Sequence, residues 1–179
     1  MARLPAFSHN QNCIKMKGTH PPVPFEKLLE QFLEIVGQDP SMANGSMGFE
    51  FESGTHTARF LPDSETAEGI VIEVDAHTLG EEEKANALLL MMLHRLNEAS
   101  RTEHSWAITV DVEDRVLIST RLPISGIDGS ALQKALCESL DRAESLTALI
   151  EQFSQGASRG VAPELSENVN LLFNPLKQA

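Results

Sequence analysis

Glu81-Glu82-Glu83-Lys84-Ala85-Asn86-Ala87-Leu88-Leu89-Leu90-Met91-Met92-Leu93-His94-Arg95-Leu96-Asn97 is the stretch that decides the fold. Every side chain from Ala87 to Leu93 is apolar, and Ala, Leu and Met are strong helix formers with little β-branching. Helix is therefore the expected state. Three glutamates suit its positive end, and His94 and Arg95 lie toward its negative end. Thr78 and Glu81 have the spacing of a capping box. One face reads Ala85, Leu88, Leu89, Met92, Leu96. A second reads Ala87, Leu90, Met91. A helix apolar on both sides needs cover on both sides, and this one is too short to cross a bilayer. The domain's own sheet supplies one cover. A second copy of the same helix is the expected other.

Working outward, the segments on either side read as alternating helices and strands. Before the helix, Phe25, Leu28, Leu29, Phe32, Leu33 and Val36 recur at helical spacing, with Pro24 at the start and Gly37 as the stop. Ile35 lies off that stripe. Phe49 and Phe51 alternate with Glu50 and Glu52 as in a half-buried strand. Ser53-Gly54 is a tight turn, and residues 55–61 return as a second strand with Arg59 opposite Ala58 and Phe60 in phase. Ile70 to Val74 is a β-branched third strand. After the helix, Trp106, Ile108, Val110 and Val112 alternate. Residues 113–115 make a turn, and Val116 to Leu122 return to Pro123. A last helix, capped by Asp128 or Ser130, runs to about Phe153 with Leu132, Leu136, Leu140, Ala143 and Ile150 as its stripe.

The order is α-β-β-β-α-β-β-α, an α+β single domain with a twisted antiparallel sheet. Its expected limits are residues 24–155, between a flexible arm (1–23) and a tail (156–179). In the tail Val169, Leu171 and Phe173 alternate, which leaves a docked strand and a disordered end equally open.

Composition narrows the function. A net charge of −12 argues against nucleic acid or an anionic membrane as the main partner. Cys13 and Cys137 are far apart and fit reduced thiols in a cytosol. Met1 to Thr19 has no apolar run of about seven residues, so no secretory signal is expected. Motifs for phosphate binding, dinucleotide binding, serine or zinc hydrolysis and thiol redox chemistry are all missing. The histidines at 9, 20, 56, 77, 94 and 104 have no ligand spacing. Asp111, Glu113 and Asp114 read as a solvated turn, and Cys137 as packing. No catalytic residue, metal or cofactor is expected, and the chain reads as a binding protein.

Four features give this chain a resemblance to the class I type III secretion chaperones, the CesT/SycE-like family of Gram-negative bacteria. They are the opening helix from Phe25 to Leu33 followed by Gly37, and the central helix closing on Asn97. The others are the strand Leu117 to Leu122 ending in Pro123, and the final helix with Leu132, Leu136, Ala143 and Leu149. The match covers about residues 24–153, and both ends are longer than is usual. The resemblance implies a cytoplasmic homodimer without enzymatic activity that keeps the N-terminal segment of secreted effector proteins extended and soluble. It also implies no nucleic acid and no membrane insertion, with the secretion-system ATPase as a further candidate partner. It implies a dimer interface at Leu88, Leu90, Met91, Met92 and Trp106. Candidates for client patches are Phe32, Ile35, Phe49, Phe51, Ile118 and Leu122. The alternative function is a regulatory protein that sequesters a transcriptional activator or anti-activator. A small enzyme with a site built from scattered residues is a third.

Overall fold

In the computed structural model the described residues are 12–13, 23–44, 48–65, 68–100 and 105–158. The alternation of residues 169–173 lies outside them, as do His9, His20 and His104. The elements are β1 (Asn12–Cys13), α1 (Val23–Ile35), a 3-10 turn (Pro40–Ala43), β2 (Phe49–Ser53), β3 (His56–Pro62) and β4 (Gly69–Thr78). Then come α2 (Glu83–Ser100), β5 (Trp106–Val110), β6 (Arg115–Pro123) and α3 (Gly129–Ser158). All strands join one antiparallel sheet in the order β1-β2-β3-β4-β6-β5. The α+β order expected from the sequence is present, with β1 added at one edge.

Local chemistry explains the boundaries. Gly37 adopts φ 74° directly after α1, a left-handed conformation that glycine enters without a Cβ penalty. Gly54, at φ 62°, turns β2 into β3, so that Ser53 pairs with His56. Asp128 is the N-cap of α3, its carboxylate accepting from the Ala131 N–H at 2.9 Å. At the β5–β6 turn, Asp111 accepts from the backbone N–H groups of Glu113 and Arg115, both at 2.9 Å. Asp114 takes φ 60° there. Two boundaries differ from expectation. α3 continues through Gly156 to Ser158. β4 runs on to Thr78, which pairs with Arg115, so the Thr78–Glu81 capping box does not form and α2 starts at Glu83. Glu81 and Glu82 precede the helix, and no basic residue occupies its last turn.

A register shift between Asp75 and His77 makes this longer strand possible. Such a bulge leaves backbone groups without ladder partners. Here His56 Nδ1 lies 2.7 Å from the Asp75 carbonyl, and the Thr147 hydroxyl of α3 donates to the Ala76 carbonyl at 2.6 Å.

The core lies between one face of the sheet and the helices. Ring centroids of Phe32 and Phe60 are 4.8 Å apart at a 73° interplanar angle, with Phe51 5.6 Å from Phe60 and 6.1 Å from Phe32. These edge-on and tilted contacts are the favoured aromatic geometries. Ile70, Ile72, Val74 and Ile118 continue the layer, and Leu132, Leu136, Leu146, Leu149 and Ile150 close it from α3. Thr120 and Ser139 are both buried and satisfy one another at 2.9 Å.

Candidate interaction surfaces

α2 has one buried face and one open face. Leu89, Met92, Leu93 and Leu96 point inward at the i, i+3, i+4, i+7 positions of a helix stripe. Opposite them, Leu88, Leu90 and Met91 are 44%, 40% and 57% exposed, and Ala87, His94 and Arg95 are exposed too. The sequence grouped Leu88 with Leu89, Met92 and Leu96 and assigned Leu93 to neither face; the structure turns Leu88 outward beside Leu90 and Met91 and Leu93 inward. A run apolar at every position carries no phase of its own, so only packing sets which residues turn inward.

Six large apolar residues are exposed among the described residues. Three are on α2, and Val110 and Val112 end β5 and begin the turn after it. Five of the six thus belong to the α2–β5 part of the chain, and the sixth, Ile35, belongs to α1. Scattered apolar side chains need no explanation, but their concentration in adjoining elements makes this part of the chain the candidate contact surface. Val110 and Val112 were not singled out from sequence for this role, because alternation with Trp106 and Ile108 suggested burial.

The other residues expected at interfaces are placed as follows. Met92 and Trp106 are buried within the protomer, where the Arg142 guanidinium lies 5.4 Å from the centre of the Trp106 rings. Phe32, Phe49 and Phe51 are buried in the aromatic core, and Ile118 in the same layer, so none forms an open patch in the protomer. Leu122 is half-buried against the core. Of the interface candidates, the open ones are Leu88, Leu90, Met91 and Ile35.

Asn97 has a structural task that the sequence named only by position. Its side-chain amide donates to the Ile108 carbonyl at 2.6 Å, and its side-chain oxygen accepts from the Ile108 N–H at 2.8 Å. One side chain of α2 thereby replaces a neighbouring strand at the open edge of β5. Asn97→Ala should lower unfolding stability by ~2 kcal/mol, the scale of leaving such groups unpaired. Urea denaturation measures this, and a loss of only a few tenths would show that water replaces the amide freely.

The sheet face away from the core is charged. Arg59 is 6% exposed and donates to Glu50 at 2.8 Å and to Asp75 at 3.2 Å, with Glu73 3.9 Å away. Arg115 bridges Asp111 at 2.6 Å and Glu113 at 3.0 Å. Burial pushes the Glu73 and Asp75 carboxyls above their usual range, against the pull of Arg59 and Arg115. A carboxyl raised on folding binds its proton more tightly in the native state. Stability then falls as pH rises from the ordinary glutamate value through the raised one. Glu73→Gln, which leaves Glu50 and Asp75 on Arg59, should therefore raise Tm at pH 7. The gain should shrink as pH falls toward ~4. Scanning calorimetry at both pH values checks this, and a lowered Tm at pH 7 would show that attraction outweighs burial.

Among the described residues no group of three His, Cys, Asp or Glu side chains could hold a metal ion, and no helix is long and apolar enough to cross a membrane. Burial raises the half-buried Cys137 thiol, so it is not poised as a thiolate.

The model of the Tir chaperone protein (CesT) family matches residues 27–147, from α1 to within α3. The chain belongs to the Tir chaperone protein (CesT) family. CesT-family proteins are non-enzymatic binding proteins of type III secretion. Two of the similar solved structures, ExsC–ExsE and HopA1–SchA, show the fold. The ExsC–ExsE complex contains a chain of 17% identity with a TM-score of 0.51, covering 74% of this chain and 97% of that one. The HopA1–SchA chaperone–effector complex gives 9% identity, a TM-score of 0.57, and coverage of 71% and 95%. The Yersinia pestis type III secretion chaperone SycH, in complex with a stable fragment of YscM2, gives 19% identity, a TM-score of 0.47, and coverage of 66% and 96%. No curated protein matches the sequence.

Proposed function

We propose that this CesT-family chain is a cytoplasmic homodimeric chaperone that holds the N-terminal chaperone-binding segment of a secreted effector extended and soluble. The observation that carries the dimer is the open face of α2. Leu88, Leu90 and Met91 turn away from the core, with Val110 and Val112 exposed at the end of β5. A second copy of the same surface is its occupant in this reading, because an isologous interface needs only one self-complementary patch. Ile35 is the open apolar position on α1 for a client side chain. Family membership supports the client-binding role, as does a similar fold in a structure described as a chaperone–effector complex.

The test is co-expression with the secretion substrates of the source bacterium, followed by pull-down and by light scattering of the free protein. A dimer that retains an effector through that effector's N-terminal segment is expected. Retention of a transcriptional activator or anti-activator in its place would favour a regulatory role on the same scaffold. A monomer that retains no secreted protein would sink the proposal.

A further inference from the structure

The open face of α2 carries charge as well as apolar surface, and the charges are not placed at random. Lys84, Met91 and Glu98 are all exposed and follow one another at intervals of seven residues. Two helical turns take about 7.2 residues, so the three share one line down the helix. Met91 lies at the middle of α2 and, at 57% exposure, is its most open large apolar side chain. The lysine stands about 10 Å toward one end of the helix and the glutamate about 10 Å toward the other. The line therefore reads positive, apolar, negative.

Such a line matches itself when turned end for end. A two-fold axis set across the helix at Met91 brings each Lys84 opposite the partner's Glu98, and Met91 opposite the partner's Met91. The same axis sets Arg95 opposite the partner's Ala87 and His94 opposite the partner's Leu88, so neither basic group directly opposes another. Two copies laid in the same direction place lysine on lysine, arginine on arginine and glutamate on glutamate. Apolar contact has no direction of its own. Burying Leu88, Leu90 and Met91 thus holds two copies together without saying which way the second one runs. Charges at the border of an apolar seam supply that choice, as like-charge opposition penalises the wrong arrangement.

We infer that the partner copy runs antiparallel across α2, crossing at Met91, and that Lys84 and Glu98 select this direction. The inference rests on the reading of the chain as a homodimer and adds to it the direction of the partner and the residues that set it.

The test is charge reversal in the full chain, read as the dimer dissociation constant by sedimentation equilibrium. Lys84→Glu alone and Glu98→Lys alone each put two like-charged pairs into the dimer, and each should weaken it about tenfold at low salt. The two together exchange the signs and restore both attractions, so association should return to within about twofold of the parent. Both positions are exposed, and circular dichroism should show an unchanged fold. Sodium chloride at about 1 M, where screening acts within ~3 Å, should bring the single variants close to the parent. Cross-linking reads the direction itself. In a Cys13→Ser, Cys137→Ser background, a short bismaleimide should join a Lys84→Cys chain to a Glu98→Cys chain. It should not join two Lys84→Cys chains, whose thiols stand about 21 Å apart in the antiparallel pair. Ready joining of Lys84→Cys to itself overturns the direction. Single reversals without effect, or a double variant as weak as the singles, overturn the role of the two charges. A monomeric parent overturns this inference together with the homodimer reading. A dimeric parent indifferent to all three variants leaves that reading standing and removes this inference alone.

Discussion

Leu90→Glu and Met91→Glu are each expected to turn the proposed dimer into a folded monomer. Both side chains are open in the protomer, so a carboxylate there meets water and leaves the core untouched. At a two-fold interface the same substitution enters twice, and each charge faces the apolar patch of its partner. Burying such an unpaired charge costs about 2–5 kcal/mol, a weakening of roughly 30-fold to several thousand-fold. Light scattering across a concentration series reads the association, and circular dichroism confirms the retained fold. If both variants remain dimers of ordinary stability, the open face of α2 is not the seam. Met92→Glu gives the contrast: Met92 is 3% exposed, so that substitution should unfold the protomer rather than separate two of them.

Gly129→Ala should destabilise the fold by about 3 kcal/mol, the upper range for overfilling a packed site. A methyl group at Gly129 would lie 2.7 Å from the Gln31 carbonyl carbon, 2.8 Å from its oxygen and 2.8 Å from the Phe32 nitrogen. All three are backbone atoms of α1, so no rotamer change relieves the contact. The Gly129 N–H is also held by the Gln31 side-chain oxygen at 3.2 Å, which fixes the start of α3 against α1. Moving α3 outward would strip cover from Phe32, Leu132 and Leu136, all buried. Gly80→Ala is the control. No atom lies within 4 Å of a methyl group there, so chemical denaturation should show no comparable loss. Equal stability of the two variants would mean that α1 and α3 slide apart freely.

The parts of the fold legible in the sequence are those where a local pattern and a local stop coincide. α1 has a clean stripe ended by Gly37, and β2 and β3 alternate around Gly54. The end of β4 was illegible because Asp75, Ala76 and His77 carry no large apolar side chain to mark the buried face, although burial keeps alternating through them to the bulge. Its carbonyls are satisfied by His56, about twenty residues earlier in the chain, and by Thr147, far later in it. The two-residue β1 has too little pattern to be seen at all. For the surfaces, the sequence located a second apolar face on α2 but could not set its phase: it listed Leu88 with the residues of the first face and left Leu93, which is buried, on neither. Phe32, Phe49, Phe51 and Ile118 show why apolar periodicity alone is a poor guide to docking patches: the pattern that makes a strand or helix stripe is the pattern of burial. Asn97 was noticed as the close of α2, yet its bond to Ile108 depends on how the helix lies against β5.

The length of α3 bears on how this chain is made in the cell. Its thirty residues rise about 45 Å, and they supply Leu132 through Ile150 to the same core that Phe25 and Phe32 of α1 begin. Synthesis proceeds from the N-terminus, so α1 and the whole sheet leave the ribosome before their cover exists. The part of the sheet that α3 covers, Ile70, Ile72, Val74 and Ile118 on β4 and β6, stays open until the last helix arrives. Folding is thus completed only after translation has passed the last buried leucines of α3. A ribosome stalled before that helix would hold a chain with an open apolar sheet, itself in need of an escort.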